Sequence, residues 1–254
     1  MRIALAGKGG AGKTTIAATL ARLIARTGAR VLAIDADSNP NLGAALGIDA
    51  VPPAPVAHLP AALVSRRLDG AALTVSIEEL VRTHGLPGPD GVDLVCMGAP
   101  DHAGEGCLCS AHATVSAVLA DLGSFPATVA VVDMEASPEQ LSRGTVQHAD
   151  VLLLIAEPYF RSLETVRRLS ALGAELSIAE VAVVANKLRS AADREAISEF
   201  CERHGLRCWG EVPWSDEVVR ADLAARPLLD AAPEGTAVSA IAQLSTRLGD
   251  LELT

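Results

Sequence analysis

Aromatic side chains are scarce: the 254 residues carry three Phe, two Trp and one Tyr. Platforms that stack nucleobases are built from such rings, so a single-strand binding surface is not expected. Positive charge is also in deficit, with 21 Lys and Arg against 31 Asp and Glu and a net charge of −10. That field argues against broad nucleic-acid binding. Half of the residues are hydrophobic, yet no apolar run reaches the ~18 residues of a spanning helix. The N-terminus enters an apolar run at once, with no basic-then-apolar leader, so the chain reads as cytoplasmic rather than secreted. Five cysteines, an odd number without framework spacing, suit a reducing compartment and suggest thiols or metal ligands.

Against these absences stands Gly7-Lys8-Gly9-Gly10-Ala11-Gly12-Lys13-Thr14, followed by Thr15. It fits G-x-x-x-x-G-K-[ST], the phosphate loop of nucleotide hydrolases. An apolar strand-like run, Met1 to Ala6, precedes it. A helical pattern follows, with Ile16, Leu20, Leu23 and Ile24 on one face. Glycines let successive backbone N–H groups curl inward at the phosphates of ATP or ADP. The helix N-terminus adds partial positive charge. Lys13 would neutralise the β- and γ-phosphates, and the Thr14 hydroxyl could ligate Mg²⁺.

Lys8 stands where the bare pattern demands nothing. K-G-G-x-G-K-T-T resembles the deviant loop of the MinD, ParA and nitrogenase-iron-protein ATPases. In that group this lysine reaches across a dimer interface, so the resemblance implies an ATP-dependent homodimer in which Lys8 is catalytic. The segment Asp35-Ala36-Asp37-Ser38-Asn39-Pro40-Asn41-Leu42 matches the group's D-x-D-P-x-x-N-L except at Ser38. By the same resemblance Asp37 orients the attacking water.

The rest of the chain alternates apolar strand-like runs with helical patterns. Arg30–Asp35, Val92–Met97, Thr128–Asp133, Val151–Glu157, Val181–Asn186 and Leu206–Val212 read as strands. Ser76–Thr83, Ala111–Leu122, Ala191–His204 and Ala237–Leu248 read as helices, with Gly249 as a stop and Ser162 as the N-cap of another. Leu86 to Gly91 reads as a loop, and residues 49–91 as an insertion without a domain of their own. The expected fold is a single-domain α/β P-loop NTPase over residues 1–254, a mostly parallel twisted sheet with helices on both faces. Asp133 closes a buried strand at the Walker B position, where a carboxylate holds a water of the Mg²⁺ shell. In the ATPase group the asparagine of N-K, here Asn186, reads adenine, and Pro213 flanks the base.

Gly104-Glu105-Gly106-Cys107-Leu108-Cys109-Ser110 sets two thiols at i and i+2 in a glycine-rich loop. One pair supplies two thiolates, while Zn²⁺ or another soft metal usually wants four ligands. A two-fold axis between two such pairs would double them, in keeping with the implied dimer. His112 could add a ligand, or sit exposed or capping in the first turn of the next helix. Cys201 and Cys208 read as structural.

Deviant loop, shortened insertion and G-x-G-C-x-C together resemble the CooC-type ATPases, nickel-handling maturation factors of carbon monoxide dehydrogenase. Asp133-Met134-Glu135-Ala136-Ser137 resembles that family's D-x-E-A-G, and Leu141-Ser142-Arg143-Gly144-Thr145 its L-x-R-G-T. Ser110-Ala111 departs from the usual C-x-C-P-E, and Ser137 replaces a glycine. The resemblance implies a metallochaperone ATPase that binds Ni²⁺ or Zn²⁺ through Cys107 and Cys109 and serves a carbon monoxide dehydrogenase-like client. A positioning or partition switch of MinD or ParA type is the alternative. The acidic tail Arg247–Thr254 and the net charge speak against a membrane or nucleic-acid output. An iron-protein reductase is the third reading, but the cysteine shortly after Walker B that it needs is missing: none follows Asp133 before Cys201.

Overall fold

The computed structural model describes residues 1–48, 58–65, 72–98, 109–125 and 127–251. In chain order these form β1 (Arg2–Gly7), α1 (Lys13–Arg26), β2 (Arg30–Ala36), α2 (Leu42–Leu46), α3 (Ile77–His84), β3 (Leu86–Pro87), β4 (Val92–Cys96) and α4 (Cys109–Leu122). There follow β5 (Thr128–Met134), α5 (Glu139–Ser142), β6 (Val151–Ala156), α6 (Phe160–Glu175), β7 (Glu180–Leu188) and α7 (Ala191–His204). The chain closes with β8 (Arg207–Pro213), α8 (Asp216–Leu223), α9 (Leu228–Ala231) and α10 (Thr236–Gly249).

The eight strands form one sheet in the order β3-β4-β2-β5-β1-β6-β7-β8. All pairs are parallel except β3 with β4. Alternating residues of the central strands face opposite layers. Ala4, Ala6, Leu32 and Ile34 pack with α4, α6 and α7 through Val115, Val166 and Ile197. Ile3, Leu5, Val31 and Ala33 pack with α1 and α10 through Ile16, Leu20, Ile241 and Leu244. Both faces are covered, which is why these strands are continuous apolar runs. The chain builds β2, β4 and β5 on one side of β1, then β6, β7 and β8 on the other. Ligands of open α/β sheets bind beyond the strand C-termini at such a reversal.

Several local expectations change. Leu86–Pro87 is not loop but a short antiparallel edge strand, and Pro fits there because an edge position needs no donor on its open side. Ser162 does not cap α6. Tyr159 is the N-cap, and the buried Ser162 hydroxyl instead accepts the Glu157 N–H at 2.9 Å. Gly249 is the last residue of α10, and Asp250 rather than Gly249 is the C-cap. Ser76 does cap α3, accepting the Glu79 N–H. The described part of the 49–91 segment sends Leu59, Leu63, Leu73, Ile77 and Leu80 into the same core as α4. Cys201 is a buried free thiol and Cys208 a half-buried one.

One buried cation ties the α1 layer together. Arg22, 3% exposed, donates from Nε to Asp90 at 2.6 Å and from Nη1 and Nη2 to Asp230 at 2.8 and 2.7 Å. Nη1 also reaches the Leu46 carbonyl that ends α2. The Arg22 hydrogen bonds hold Asp230 below the usual carboxylate range. Burial pushes Asp90 up, but hydrogen bonds from Arg22 and Arg26 outweigh it and the net shift is down. Depressed carboxyls stabilise the fold above their unfolded pKa, and that contribution disappears as pH falls through the folded values. Arg22→Met should cost roughly 2–4 kcal/mol in urea unfolding at pH 7. The gap to wild type should narrow below pH ~4, where the carboxylates protonate. An unchanged midpoint at pH 7 would refute this account.

Candidate functional site

The C-terminal ends of β1, β2 and β5 meet in register. Asp35 lies opposite Asp133, and Leu5 opposite the same Asp133. From this rim the loop Gly7–Gly12 swings out and returns as α1. Gly10 has φ +77° and Gly12 φ +97°, a region that L side chains avoid. A Cβ on Gly12 would also sit 2.4 Å from the Asn186 amide. Glycine is thus required there twice, by torsion and by space.

Four carbonyls of this curl face side-chain donors. Those of Gly7 and Lys8 lie 3.3 and 3.5 Å from Lys13 Nζ. The Gly10 carbonyl accepts from Lys187 Nζ at 2.5 Å, and that of Ala11 from Asn186 Nδ2 at 2.7 Å. Asn186 Oδ1 accepts the Lys187 N–H. Asn186 therefore spends part of its amide on the loop while still lining the cleft.

That cleft, about 410 Å³, runs from Gly10, Gly12 and Lys13–Ile16 past Asn186 to Val212, Pro213 and Trp214. Its polar end is the phosphate loop and its far wall is apolar, the profile of a site for a charged tail carrying a flat base. Pro213 and Asn186, both singled out from sequence, line it together with Thr14 and Thr15. Gly9 and Lys8 lie on the outer side of the loop, with Lys8 Nζ 5.7 Å from the centre of the Tyr159 ring.

Lys13 is buried, and burial lowers its pKa against the opposing pull of Asp133, Asp37 and Glu135. Asp133 is 2% exposed. Burial raises its pKa to about 7, moderated by the Thr14 hydroxyl, with Asp35 adding to the rise. Its Oδ1 has no hydrogen-bond partner among the described residues. A buried, orphaned carboxylate oxygen beside a threonine hydroxyl is a fitting donor set for a hard cation such as Mg²⁺ and its water shell. Asp35 is spent on structure, accepting the Leu42 and Asp37 N–H groups at 2.8 and 3.2 Å. Asp37 is half-buried on the same rim, its Oδ1 turned to the Asn39 N–H.

Cys107 lies outside the described residues. Cys109 is not in a loop: it opens α4, exposed, and its Sγ takes a hydrogen bond from Arg143 Nη1 at 3.1 Å. It takes part in a disulfide bond, so metal ligation would require its reduction. Among the described residues no three His, Cys, Asp or Glu side chains converge as a metal group. His112 is neither exposed nor capping. It is 7% exposed, its Nδ1 has no partner among the described residues, and burial lowers its pKa. It lines a cavity together with Cys109, Arg143, Gln147 and His148.

The contacts that sequence reading missed are tertiary. Buried Gln140 on α5 donates to the Ala36 carbonyl, next to Asp37. Arg143, just past α5, holds Glu139 and Cys109. Glu157 receives both Lys187 and Tyr159. Glu139–Arg143 is a local i,i+4 pair, but no local pattern announces Gln140–Ala36, Arg143–Cys109 or Lys187–Glu157; only the L-x-R-G-T match marked Arg143.

The raised Asp133 pKa fixes a sign. The folded state holds this proton to higher pH than the unfolded state, so stability falls as pH rises from about 4 to about 7 and is level above. Asp133→Asn should raise the apo melting temperature at pH 8 and raise it by less at pH 5. The same variant should lose the Mg²⁺-dependent part of ADP affinity, read by calorimetry with and without the ion. Equal melting shifts at both pH values would contradict the assigned ionisation.

A model of the CobQ/CobB/MinD/ParA nucleotide binding domain matches residues 3–228. The carbon monoxide dehydrogenase accessory protein CooC of Rhodospirillum rubrum is 34% identical over 247 residues, covering 92% of this chain and 91% of that protein. An uncharacterised ATP-binding protein of Methanocaldococcus jannaschii is 32% identical, covering 90% of this chain and 91% of its own length. Among solved structures, the septum site-determining protein MinD of Pyrococcus horikoshii, complexed with Mg-ADP, superposes with a TM-score of 0.73. It is 18% identical and covers 98% of this chain and 96% of its own. The chain belongs to the CobQ/CobB/MinD/ParA nucleotide-binding family and, within it, is a CooC-type ATPase.

Proposed function

We propose that this ATPase works as a dimeric metallochaperone, delivering Ni²⁺, or Zn²⁺ in its place, to a carbon monoxide dehydrogenase-type client. The observation that carries the reading is the end-to-end similarity to the CooC accessory protein. The Arg143–Cys109 hydrogen bond supports it, because it ties the Cys109 sulfur to the segment that follows the Walker B strand. The exposed rim beside the loop supports a second copy: Phe160 is 80% exposed and Tyr159 41%, next to Lys8. Large apolar side chains left at such a rim are suited to an interface.

In this reading Thr14 and Asp133 hold Mg²⁺, which when bound offsets phosphate charge. The loop N–H groups of Gly9 to Thr15 and Lys13 cradle the phosphates. Asp37 orients the attacking water, and Lys8 of the second copy meets charge developing on the transferred phosphoryl. Asn186 and Pro213 bound the adenine end of the cleft. Cys107 and Cys109 of two copies surround the cargo metal, and closure or opening of the dimer changes the thiolate spacing. Residues 1–254 act as one ATPase domain.

The test is metal content together with oligomeric state, under reductant, in ADP and in a non-hydrolysable ATP analogue. About one Ni²⁺ or Zn²⁺ per two chains is expected, lost in Cys107→Ser/Cys109→Ser. Metal affinity should differ between the two nucleotides. A nucleotide-dependent dimer that binds no metal would sink the chaperone reading and leave a partner-binding switch.

A further inference from the structure

The phosphate loop is braced from behind by an ion pair at the ends of β6 and β7. Lys187 is the second residue of the N-K step. Its backbone has φ +60°, left-handed for a side chain larger than glycine. The β7–β8 register shifts between Ala185 and Leu188, so Asn186 and Lys187 bulge out of the ladder. Asn186 Oδ1 accepts the Lys187 N–H at 2.9 Å, which steadies that conformation. The result aims Lys187 Nζ at two acceptors: the Gly10 carbonyl at 2.5 Å and Glu157 Oε1 at 2.8 Å.

Glu157 is itself built in. Its residue is 8% exposed, its N–H is held by Ser162 Oγ, and its second oxygen accepts the Tyr159 hydroxyl at 2.6 Å. A carboxylate this buried is stable only with its partners in place. Such strained backbone with fully engaged charges occurs where geometry is over-determined.

We propose that Lys187 is a positioning residue for nucleotide binding, and that Glu157 anchors it. Lys187 grips the outward Gly10 carbonyl and thereby fixes the inward N–H groups of the loop. Its charge is balanced by Glu157, so the pair adds little net field at the phosphates and acts through the Gly10 peptide. Asn186 does the same for the next peptide, at Ala11. A loop held this way pays less ordering entropy when phosphate arrives. The inference concerns the ATPase site alone and does not depend on metal transfer.

The experiment measures Kd for ADP and for inorganic pyrophosphate in the full chain, with melting temperature recorded alongside. Lys187→Met should weaken both ligands by about tenfold, a difference of about 1.4 kcal/mol. Glu157→Gln should weaken both by a smaller common factor. The double variant should be no worse than Lys187→Met, because the two residues act through one contact. KM for ATP should rise in parallel. Unchanged Kd values in folded Lys187→Met would overturn the proposal. So would a loss for ADP without a loss for pyrophosphate, since Lys187 would then contact base or ribose. Should Lys187→Met fail to fold, Glu157→Gln and Lys187→Arg decide: both at wild-type affinity refute the brace, while weakened Glu157→Gln with near-normal Lys187→Arg upholds it.

Discussion

A loop that binds phosphate through backbone N–H groups must turn its carbonyls the other way, and each of those carbonyls needs a donor. This geometric demand organises the site. Lys13 serves Gly7 and Lys8, Lys187 serves Gly10, and Asn186 serves Ala11. The donors come from α1 and from the end of β7, two strands away from β1. The parallel register β1-β6-β7 brings Gly7, Ile155 and Val184 to one level, and so sets the distance those side chains must cross. Gly12 then has to be glycine because Asn186 occupies the space of a Cβ.

The second demand is electrostatic. Asp37, Asp133 and Glu135 crowd around Lys13, with Asp35 beside Asp133, in a chain already at −10. Each carboxylate is handled differently. Asp35 is absorbed by backbone N–H groups, Asp37 stays half in solvent, and Asp133 is left buried with an oxygen that has no partner among the described residues. An orphaned acid costs stability that an asparagine would not, and it persists where a cation is to be bound. The apo fold is therefore weaker at the place where magnesium and nucleotide would restore the balance.

The nucleotide half of the molecule was legible in sequence because its rules are local. A glycine spacing, an apolar run ending in Asp133, and alternating strand and helix periods each carry their own physics. The reading failed where two distant segments decide together. Ser162 looks like a cap because it stands at a helix start, but the Glu157 N–H claims it first. His112 looks solvent-facing by its place in a first turn, but it is buried, on a cavity that Arg143, Gln147 and His148 also line. The Leu86–Gly91 stretch looks like loop from its Gly and Pro content, and only the neighbouring β4 gives Leu86 and Pro87 a strand to pair with. Cys107 falls outside the described residues, so the thiol pair is seen only through Cys109.

The placement of α5 links the two halves. It follows β5 by a short turn and touches both neighbours: Gln140 donates to the carbonyl of Ala36, beside Asp37, and Arg143 to the sulfur of Cys109. The next turn is docked on α4, where Ser116 reaches the Gly144 carbonyl and Gln147 reaches Ser116. An element of four residues has almost no internal stability. Its position is set by these outside contacts, one toward the nucleotide rim and the others toward α4. Gln140 and Arg143 therefore connect the carbonyl beside Asp37 and the Cys109 sulfur through one short segment. The sulfur at the head of α4 is thus linked to the nucleotide rim through α5 and Arg143, 34 residues away in sequence.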